Sequence, residues 1–439
     1  MKLTVVGTGY VGLVSGVCLA ESGHDVICVD IDKDKVNQLR RLEVPIYEPG
    51  LEQLLVRNAG RSRIGFTTDM KEGVRHAEVL VVAVGTPPLP DGSADLSQLR
   101  RAADEIAAFM DKPIIIMVKS TVPVGTNELI RDRIRALSAI SFEIASVPEF
   151  LREGSAVADT FQADRIVIGT ESERAANILG ELHRPFTERL ILTDIRSAEM
   201  AKYASNAMLA AKISLINEMA NLCERLGADV TEVAEAMGCD RRIGPHFLAA
   251  GAGYGGSCFP KDTKALIRTA DEVGVNLNIL KSVDEINDRQ WRRVVEKTQD
   301  ALGDLTGKSI AVWGLSFKPN TDDVRNSTAL KVVPELIRLG AVVRVYDPVA
   351  LESFRRLADD PAIGCYDDPY EAARGCDAVC LLTDWKEFAA ICLPELENVM
   401  RTPILIDGRN LFQREQFAGS RFTYKSIGRP DAGVERRTE

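Results

Sequence analysis

The stretch Gly253-Tyr254-Gly255-Gly256-Ser257-Cys258-Phe259-Pro260-Lys261-Asp262 puts the residue types of covalent catalysis into one loop. Its glycines let the backbone approach a ligand, and Pro260 suits the first turn of a following helix. A thiol at such a helix N-terminus, beside Lys261, sits where a thiolate is electrostatically favoured. The alternative is a buried structural cysteine. That reading is expected for the other eight of the nine cysteines, which are scattered and show no disulfide framework. A glycine-rich loop opening a helix is a poor core position. Cys376 and Cys380 have a spacing that could suggest a metal pair, but they lie in an apolar run without a second pair of ligands, so no metal is expected.

Two further pairs could serve such a thiol. Lys202 and Asn206, four apart in an Ala- and Met-rich stretch, share a helix face and could polarise a substrate oxygen. Taken alone, they read as solvated surface residues. Glu149 and Glu153, in Val147-Pro148-Glu149-Phe150-Leu151-Arg152-Glu153-Gly154, point the same way if that piece is helical, and one could act as a base for water. Two exposed acids at a helix start are the plain alternative.

A cofactor site is legible at the N-terminus. Gly7-Thr8-Gly9-Tyr10-Val11-Gly12 follows the strand candidate Leu3–Val6 and opens the helical run Val11–Glu21. Those glycines permit a tight turn, close approach to a pyrophosphate and helix packing, with the anion on the helix N-terminus. Asp30 ends the second strand candidate, Val26–Asp30, where it can accept hydrogen bonds from ribose hydroxyls and repel a 2′-phosphate, favouring NAD over NADP. Lys35 lies either near the same ribose or in solvent. Thr86 and Thr121, at later strand ends, are hydroxyl candidates for the crevice or stabilisers of turns.

These residues need a scaffold that the rest of the chain supplies. Strand candidates Val79–Val84 and Ile114–Val118 continue a βα alternation too apolar for a one-sided sheet. One long helix is expected from Ser197 to Leu226, then helices around Val230–Met237, Asp262–Val273 and Asn276–Ala301. Strands at Ser309–Trp313, Val342–Tyr346, Ala378–Leu382 and Ile404–Asp407 mark a second α/β region. The expected fold class is α/β: two Rossmann-like, doubly wound domains, 1–196 and 306–428, joined by a long central helix and an all-helical middle domain, 197–305. A flexible tail, 429–439, closes the chain. The 64 acidic against 54 basic residues, net charge -10, work against nucleic-acid binding. No segment reaches ~20 consecutive apolar residues, and no signal peptide is recognised, so a cytoplasmic protein with no membrane partner is expected.

Taken together the motifs resemble the UDP-glucose 6-dehydrogenases along essentially the whole chain. The residues carrying this are the fingerprint with Asp30, Ser120-Thr121-Val122-Pro123-Val124-Gly125-Thr126, Pro148 to Gly154, Lys202 with Asn206, Phe247-Leu248-Ala249-Ala250-Gly251 running into the cysteine loop, and Phe317-Lys318. The resemblance implies an NAD-binding first domain, a central helical dimerisation domain and a C-terminal UDP-sugar-binding domain. It further implies a homodimer or higher homo-oligomer acting on UDP-glucose through a cysteine thiohemiacetal and thioester. By the same resemblance Cys258 is the nucleophile, and Lys202, Asn206 and Asp262 hold substrate oxygen or water. Glu149 is the base, with Thr121 sharing the positioning of that water. Phe150, Leu151, Glu153, Phe247, Leu248, Gly251, Gly255 and Lys318 contact substrate, Lys261 and Arg325 contact the cofactor, and Arg242 reaches the partner subunit's substrate. The rivals are a GDP-mannose or UDP-N-acetyl sugar dehydrogenase of the same superfamily, and a non-catalytic NAD-binding regulatory protein.

Overall fold

A computed structural model describes residues 1–430. Its strands are β1 (Lys2–Val6), β2 (Asp25–Val29), β3 (Ile64–Thr67), β4 (Val79–Val82), β5 (Ile114–Val118), β6 (Phe142–Ser146), β7 (Ile166–Gly169) and β8 (Leu190–Thr193), then β9 (Ser309–Trp313), β10 (Val342–Tyr346), β11 (Gly364–Cys365), β12 (Ala378–Leu381), β13 (Ile404–Asp407) and β14 (Thr423–Ser426). The first eight form one sheet in the order β3-β2-β1-β4-β5-β6-β7-β8, parallel except between β6 and β7. The last six form a parallel sheet in the order β11-β10-β9-β12-β13-β14.

Alternation along single strands shows why both sheets are covered on two faces. Leu3 and Val5 join one apolar cluster while Val6 joins another, and Val79 and Val81 separate from Leu80 and Val82 in the same way. In the second sheet Ile310 and Val312 face one cluster, Ala311 and Trp313 the other. A period of two with apolar residues at every position requires helices above and below. In each sheet the strand order reverses beside the first strand, β1 or β9, which opens a crevice at the carboxyl ends there.

The chain divides into two compact units. Met1–Ser205 with Lys264–Gly274 form the first; Asn206–Thr263 with the residues from Val275 on form the second. The long helix, Ile195–Leu226, contains the seam. Helices Val230–Gly238, Phe259–Glu272, Asn278–Gln290 and Arg292–Leu302 follow it. The single helix expected over Asn276–Ala301 is therefore two. The division falls at Trp291, whose indole N–H donates to the Asp288 carbonyl, and neither proline nor glycine signals it.

The chain end also departs from expectation. The Gly428 amide donates to Glu224 at 2.7 Å, and Glu224 pairs with Lys297 at 2.8 Å. Arg429 is buried and donates to the Phe412 carbonyl and the Tyr424 hydroxyl oxygen. A flexible tail is expected over 429–439, but these bonds fix Arg429; residues 431–439 lie outside the described residues. Among the described residues no helix is long and apolar enough to cross a membrane.

Candidate active site

In the first unit the glycine fingerprint turns from β1 into the helix Tyr10–Glu21. Gly7 has φ +93°, and a Cβ there would lie 2.8 Å from the Ala83 carbonyl oxygen. A Cβ at Gly12 would lie 1.8 Å from the Gly7 carbonyl oxygen, so this glycine is required by packing. Gly9, the N-cap, faces open space with nothing within 4 Å of such an atom. That opening before free helix amides fits a pyrophosphate.

Asp30 faces this turn. One of its oxygens accepts from the Thr8 amide at 2.8 Å, the Thr8 hydroxyl at 2.6 Å and Lys35 Nζ at 3.2 Å; the other accepts from the Asp32 amide. Burial opposes ionisation, but these bonds and the Lys35 charge hold the carboxyl below the usual carboxylate range. Of the two places open to Lys35, the structure puts it at the acid. The Thr86 hydroxyl donates to the Thr121 carbonyl at 2.9 Å and so stabilises the turn. Thr121 is half-buried.

The segment after β6 is extended and then turns, so the expectation that Glu149 and Glu153 share a helical face fails. Glu149 is 6% exposed; one oxygen pairs with Lys202 Nζ at 3.1 Å and the other accepts from the Leu151 amide at 2.5 Å. Lys202, 3% exposed, is not the solvated residue that helical spacing alone suggests. Its ammonium lies 5.4 Å from the Phe150 ring centroid, and the Arg165 guanidinium stacks on that ring at 3.7 Å. Glu153 is half-exposed in the turn that Gly154 completes. The Gly154 amide donates to Glu48 at 2.6 Å and to the hydroxyl oxygen of Tyr10 at 2.7 Å, tying this segment to the fingerprint helix.

In the second unit, Cys258 stands immediately before the helix Phe259–Glu272, and its carbonyl accepts from the Asp262 amide at 2.8 Å. The thiol is half-buried, 3.6 Å from the Ser257 hydroxyl. Asp262, 2% exposed, takes Lys261 Nζ at 2.7 Å on one oxygen and the Asn206 amide at 2.7 Å on the other. The free amides of the helix start favour a thiolate there, while the Lys261 and Asn206 donors are engaged by the Asp262 carboxylate.

The loop leading to Cys258 is held from several sides. Asn217 accepts from the Gly251 amide, Gln290 donates to the Gly251 carbonyl, and Asn287 brackets both backbone groups of Tyr254. Arg409 donates to the carbonyls of Gly253, Leu382 and, more distantly, Phe317. Phe247 carries φ +64°, and its ring lies 6.2 Å from that of Phe259; Leu248 is buried. A Cβ at Gly255 would lie 2.2 Å from the Asn326 carbonyl oxygen, so no side chain fits there. Lys318 lies over the Phe317 ring. The Arg325 guanidinium pairs with Asp323, while Arg242, its side chain 89% exposed, pairs with Asp240.

The sequence alone did not single out Glu48, Arg165, Asn217, Asn287, Gln290, Asn326 and Arg409. Burial pulls the Lys119 ammonium below its usual range, with Glu149 opposing and Lys202 adding to the shift. Arg409 follows strand β13, where ligands gather in open sheets, and that rule, which already marks the strand end at Lys119, could have found it. The other residues sit in unremarkable loops or on helices and carry no spacing signal. Cys18, Cys28, Cys223, Cys376 and Cys380 are buried, but Cys365 is half-buried and Cys239 and Cys392 are exposed, which corrects the expectation that all eight are core residues.

A doubly wound sheet with this fingerprint and acid, in a chain that also presents a thiol at a helix N-terminus, defines an NAD-dependent dehydrogenase of the two-Rossmann-domain kind. Residues 1–187 match the NAD binding domain of the UDP-glucose/GDP-mannose dehydrogenase family, 196–289 its central domain and 311–414 its UDP binding domain. The chain is 48% identical to UDP-glucose 6-dehydrogenase YwqF of Bacillus subtilis (strain 168), over 98% of each chain. A UDP-glucose dehydrogenase from the archaeon Pyrobaculum islandicum superposes with a TM-score of 0.91 at 39% identity, over 97% of each chain. A UDP-D-ManNAc dehydrogenase from Pyrococcus horikoshii does so at 0.87 and 31%, covering 98% of this chain and 99% of its own. The chain belongs to the UDP-glucose/GDP-mannose dehydrogenase family.

Proposed function

We propose that this protein oxidises the C6 hydroxymethyl group of UDP-glucose to a carboxylate, giving UDP-glucuronate and two NADH. The observation that carries this reading is Cys258 at its helix N-terminus beside the Lys261–Asp262–Asn206 network. The 48% identity to a UDP-glucose 6-dehydrogenase, against 31% to a UDP-D-ManNAc dehydrogenase, favours glucose as the sugar.

The residues divide the work as follows. The Gly7–Gly12 turn, with Tyr10 and Val11 at the helix start, Asp30 and Lys35 bind the dinucleotide, assisted by Thr86, Lys261 and Arg325. Bound NAD supplies the hydride acceptor for both oxidations. Glu153, Phe150, Leu151, Phe247, Leu248, Gly251, Gly255 and Lys318 bind the nucleotide sugar, and Arg242 reaches the site of a second subunit in a homodimer or larger assembly.

An aldehyde loses hydride only as a tetrahedral adduct, so the Cys258 thiolate adds to C6 and forms a thiohemiacetal. Lys202 and Asn206 donate to its oxygen, and Asp262 holds that constellation. The second oxidation leaves an acyl group on sulfur. Glu149, with Thr121, orients and deprotonates water for attack on that thioester, and the thiolate departs. Residues 1–196 make up the NAD-binding domain, 197–305 the dimerisation domain and 306–428 the UDP-sugar-binding domain, in a cytoplasmic protein.

Stoichiometric product analysis tests the reading: one UDP-glucose should yield two NADH and one UDP-glucuronate. Release of free aldehyde with a single NADH refutes the covalent route, and preferential turnover of GDP-mannose or a UDP-N-acetyl sugar overturns the substrate. Absence of NADH formation with every such sugar would leave only the non-catalytic reading.

A further inference from the structure

We infer that Asn326 is a positioning residue that clamps the peptide of Gly256 and thereby sets where Cys258 presents its sulfur. The loop between β9 and the helix Ala329–Arg338 carries it, and that loop is anchored independently of the thiol. The Ser327 hydroxyl donates to the Leu315 carbonyl at 2.6 Å, tying its two ends. The Thr383 hydroxyl donates to the Ser316 carbonyl at 2.5 Å, and Asp347 accepts from the amides of Leu315 and Ser316.

From this fixed base the chain reaches the cysteine loop at two points. The Gly256 amide donates to the Arg325 carbonyl at 2.8 Å, and the Asn326 side-chain amide donates to the Gly256 carbonyl at 3.1 Å. Both polar groups of one residue, two positions before Cys258, are thus held by consecutive residues of a rigid neighbour. Asn326 has φ +52°, a left-handed conformation that Asn tolerates better than most residues. Gly256 has φ +85°, and a Cβ there would lie 2.7 Å from the Phe317 ring. A loop with two adjacent glycines has wide conformational freedom and needs outside bonds to hold one geometry. The Arg325 carbonyl is backbone, so the Asn326 side chain is the part of the clamp that substitution can remove. A small displacement of a nucleophile is costly because attack needs aligned atoms.

This inference rests on Cys258 being the nucleophile, and the test separates the two. Asn326→Gly keeps the left-handed backbone and deletes the donor. Asn326→Asp keeps the shape but turns a carboxylate oxygen toward the Gly256 carbonyl. With UDP-glucose and NAD, kcat should fall about tenfold in Asn326→Gly and at least as far in Asn326→Asp, with KM for both substrates within about twofold of the parent. As pH falls toward ~4, the ordinary aspartate value, the carboxyl gains a proton and can donate to the same carbonyl. Asn326→Asp should then recover activity relative to the parent, and Asn326→Gly should not. A kcat within about twofold of the parent in both variants, or a loss carried by KM alone, overturns the clamp. If Cys258→Ala itself retains full oxidation, the functional reading fails. The rate of Cys258 alkylation by iodoacetamide, followed on its own peptide, then decides: the clamp stands on a change of about threefold or more in Asn326→Gly and falls on an unchanged rate.

Discussion

The two sheets share a topology and use the turn after their first strand in opposite ways. After β1 the chain turns within the glycine fingerprint straight into a helix, leaving Gly9 open to a ligand. After β9 it runs through residues 314–328 before the next helix, and that loop supports the cysteine loop instead. The acids at the second strands differ correspondingly. Asp30 accepts from Thr8, Asp32 and Lys35 at the edge of the cofactor turn. Asp347 is saturated by the amides of Leu315, Ser316, Val349 and Ala350, the Ser316 hydroxyl and the Trp385 indole. One fold thus yields a bed for a dinucleotide in one copy and a bracket for a thiol in the other, and the function lies in the local residues.

The largest effect should come from the thiol itself. Cys258→Ala should lower NADH formation from UDP-glucose by at least ~10³-fold, as loss of a nucleophile does. Turnover within tenfold of the parent would make the second unit's bracket irrelevant to chemistry.

The two acids provide the next contrast. Asp347→Ala strands several buried donors and should cost about 3–5 kcal/mol of stability in denaturant melts, with KM for NAD in the surviving folded enzyme unchanged. Asp30→Ala should do the reverse, raising KM for NAD about tenfold with a smaller stability loss. If both variants lose cofactor affinity alike, the division of labour between the sheets is wrong. Because the Asp30 carboxyl is held below its unfolded value, its contribution is present above about pH 4 and is lost as pH falls through the folded value. Asp30→Asn should flatten that part of the acid unfolding curve.

Within the fingerprint, Gly12→Ala has no room and should destabilise the first unit by about 1–3 kcal/mol. Gly9→Ala should melt like the parent and weaken only NAD binding; equal melting losses for the two would contradict the open site at Gly9.

A smaller effect distinguishes the first unit in acid. Burial pushes the His183 imidazole down to about 3, while its Nδ1 donates to the Leu179 carbonyl. The unfolded chain takes up that proton first, so stability from neutral His183 is complete above about pH 6.5 and declines as pH falls below it. His183→Gln should show a shallower decline between about pH 6 and 4 in thermal melts. The smallest change should follow Cys376→Ala, about 1 kcal/mol of stability and no loss of turnover, since that thiol lies in the core and burial pushes it up to about 11.

Much of this molecule is legible from residue order. Short apolar β-branched runs give four adjacent strands of each sheet, β1, β2, β4 and β5 and then β9, β10, β12 and β13, and the fingerprint with Asp30 gives the cofactor turn, because each is a local pattern with one physical cause. Long-range pairing is less visible. Lys202 reads as surface on its helix, and only the approach of Glu149, far away in sequence, makes it a buried ion pair. Arg409 and Asn326 touch the cysteine loop from 156 and 70 residues away, so no spacing within either segment announces them. The division of the Asn278–Leu302 region at Trp291 was hidden for a different reason, since the residue keeps right-handed helical dihedrals.

The bonds from Gly428 and Arg429 decide where this polypeptide can be shortened. A stop codon placed before Gly428 would strip an amide partner from Glu224 and an arginine from beneath Tyr424, opening a wet gap at the foot of the long helix. Shortening from the carboxyl end therefore has a hard limit at Arg429, inside the stretch that polarity of the side chains marks as dispensable, and expression trials that respect that limit should keep a foldable protein.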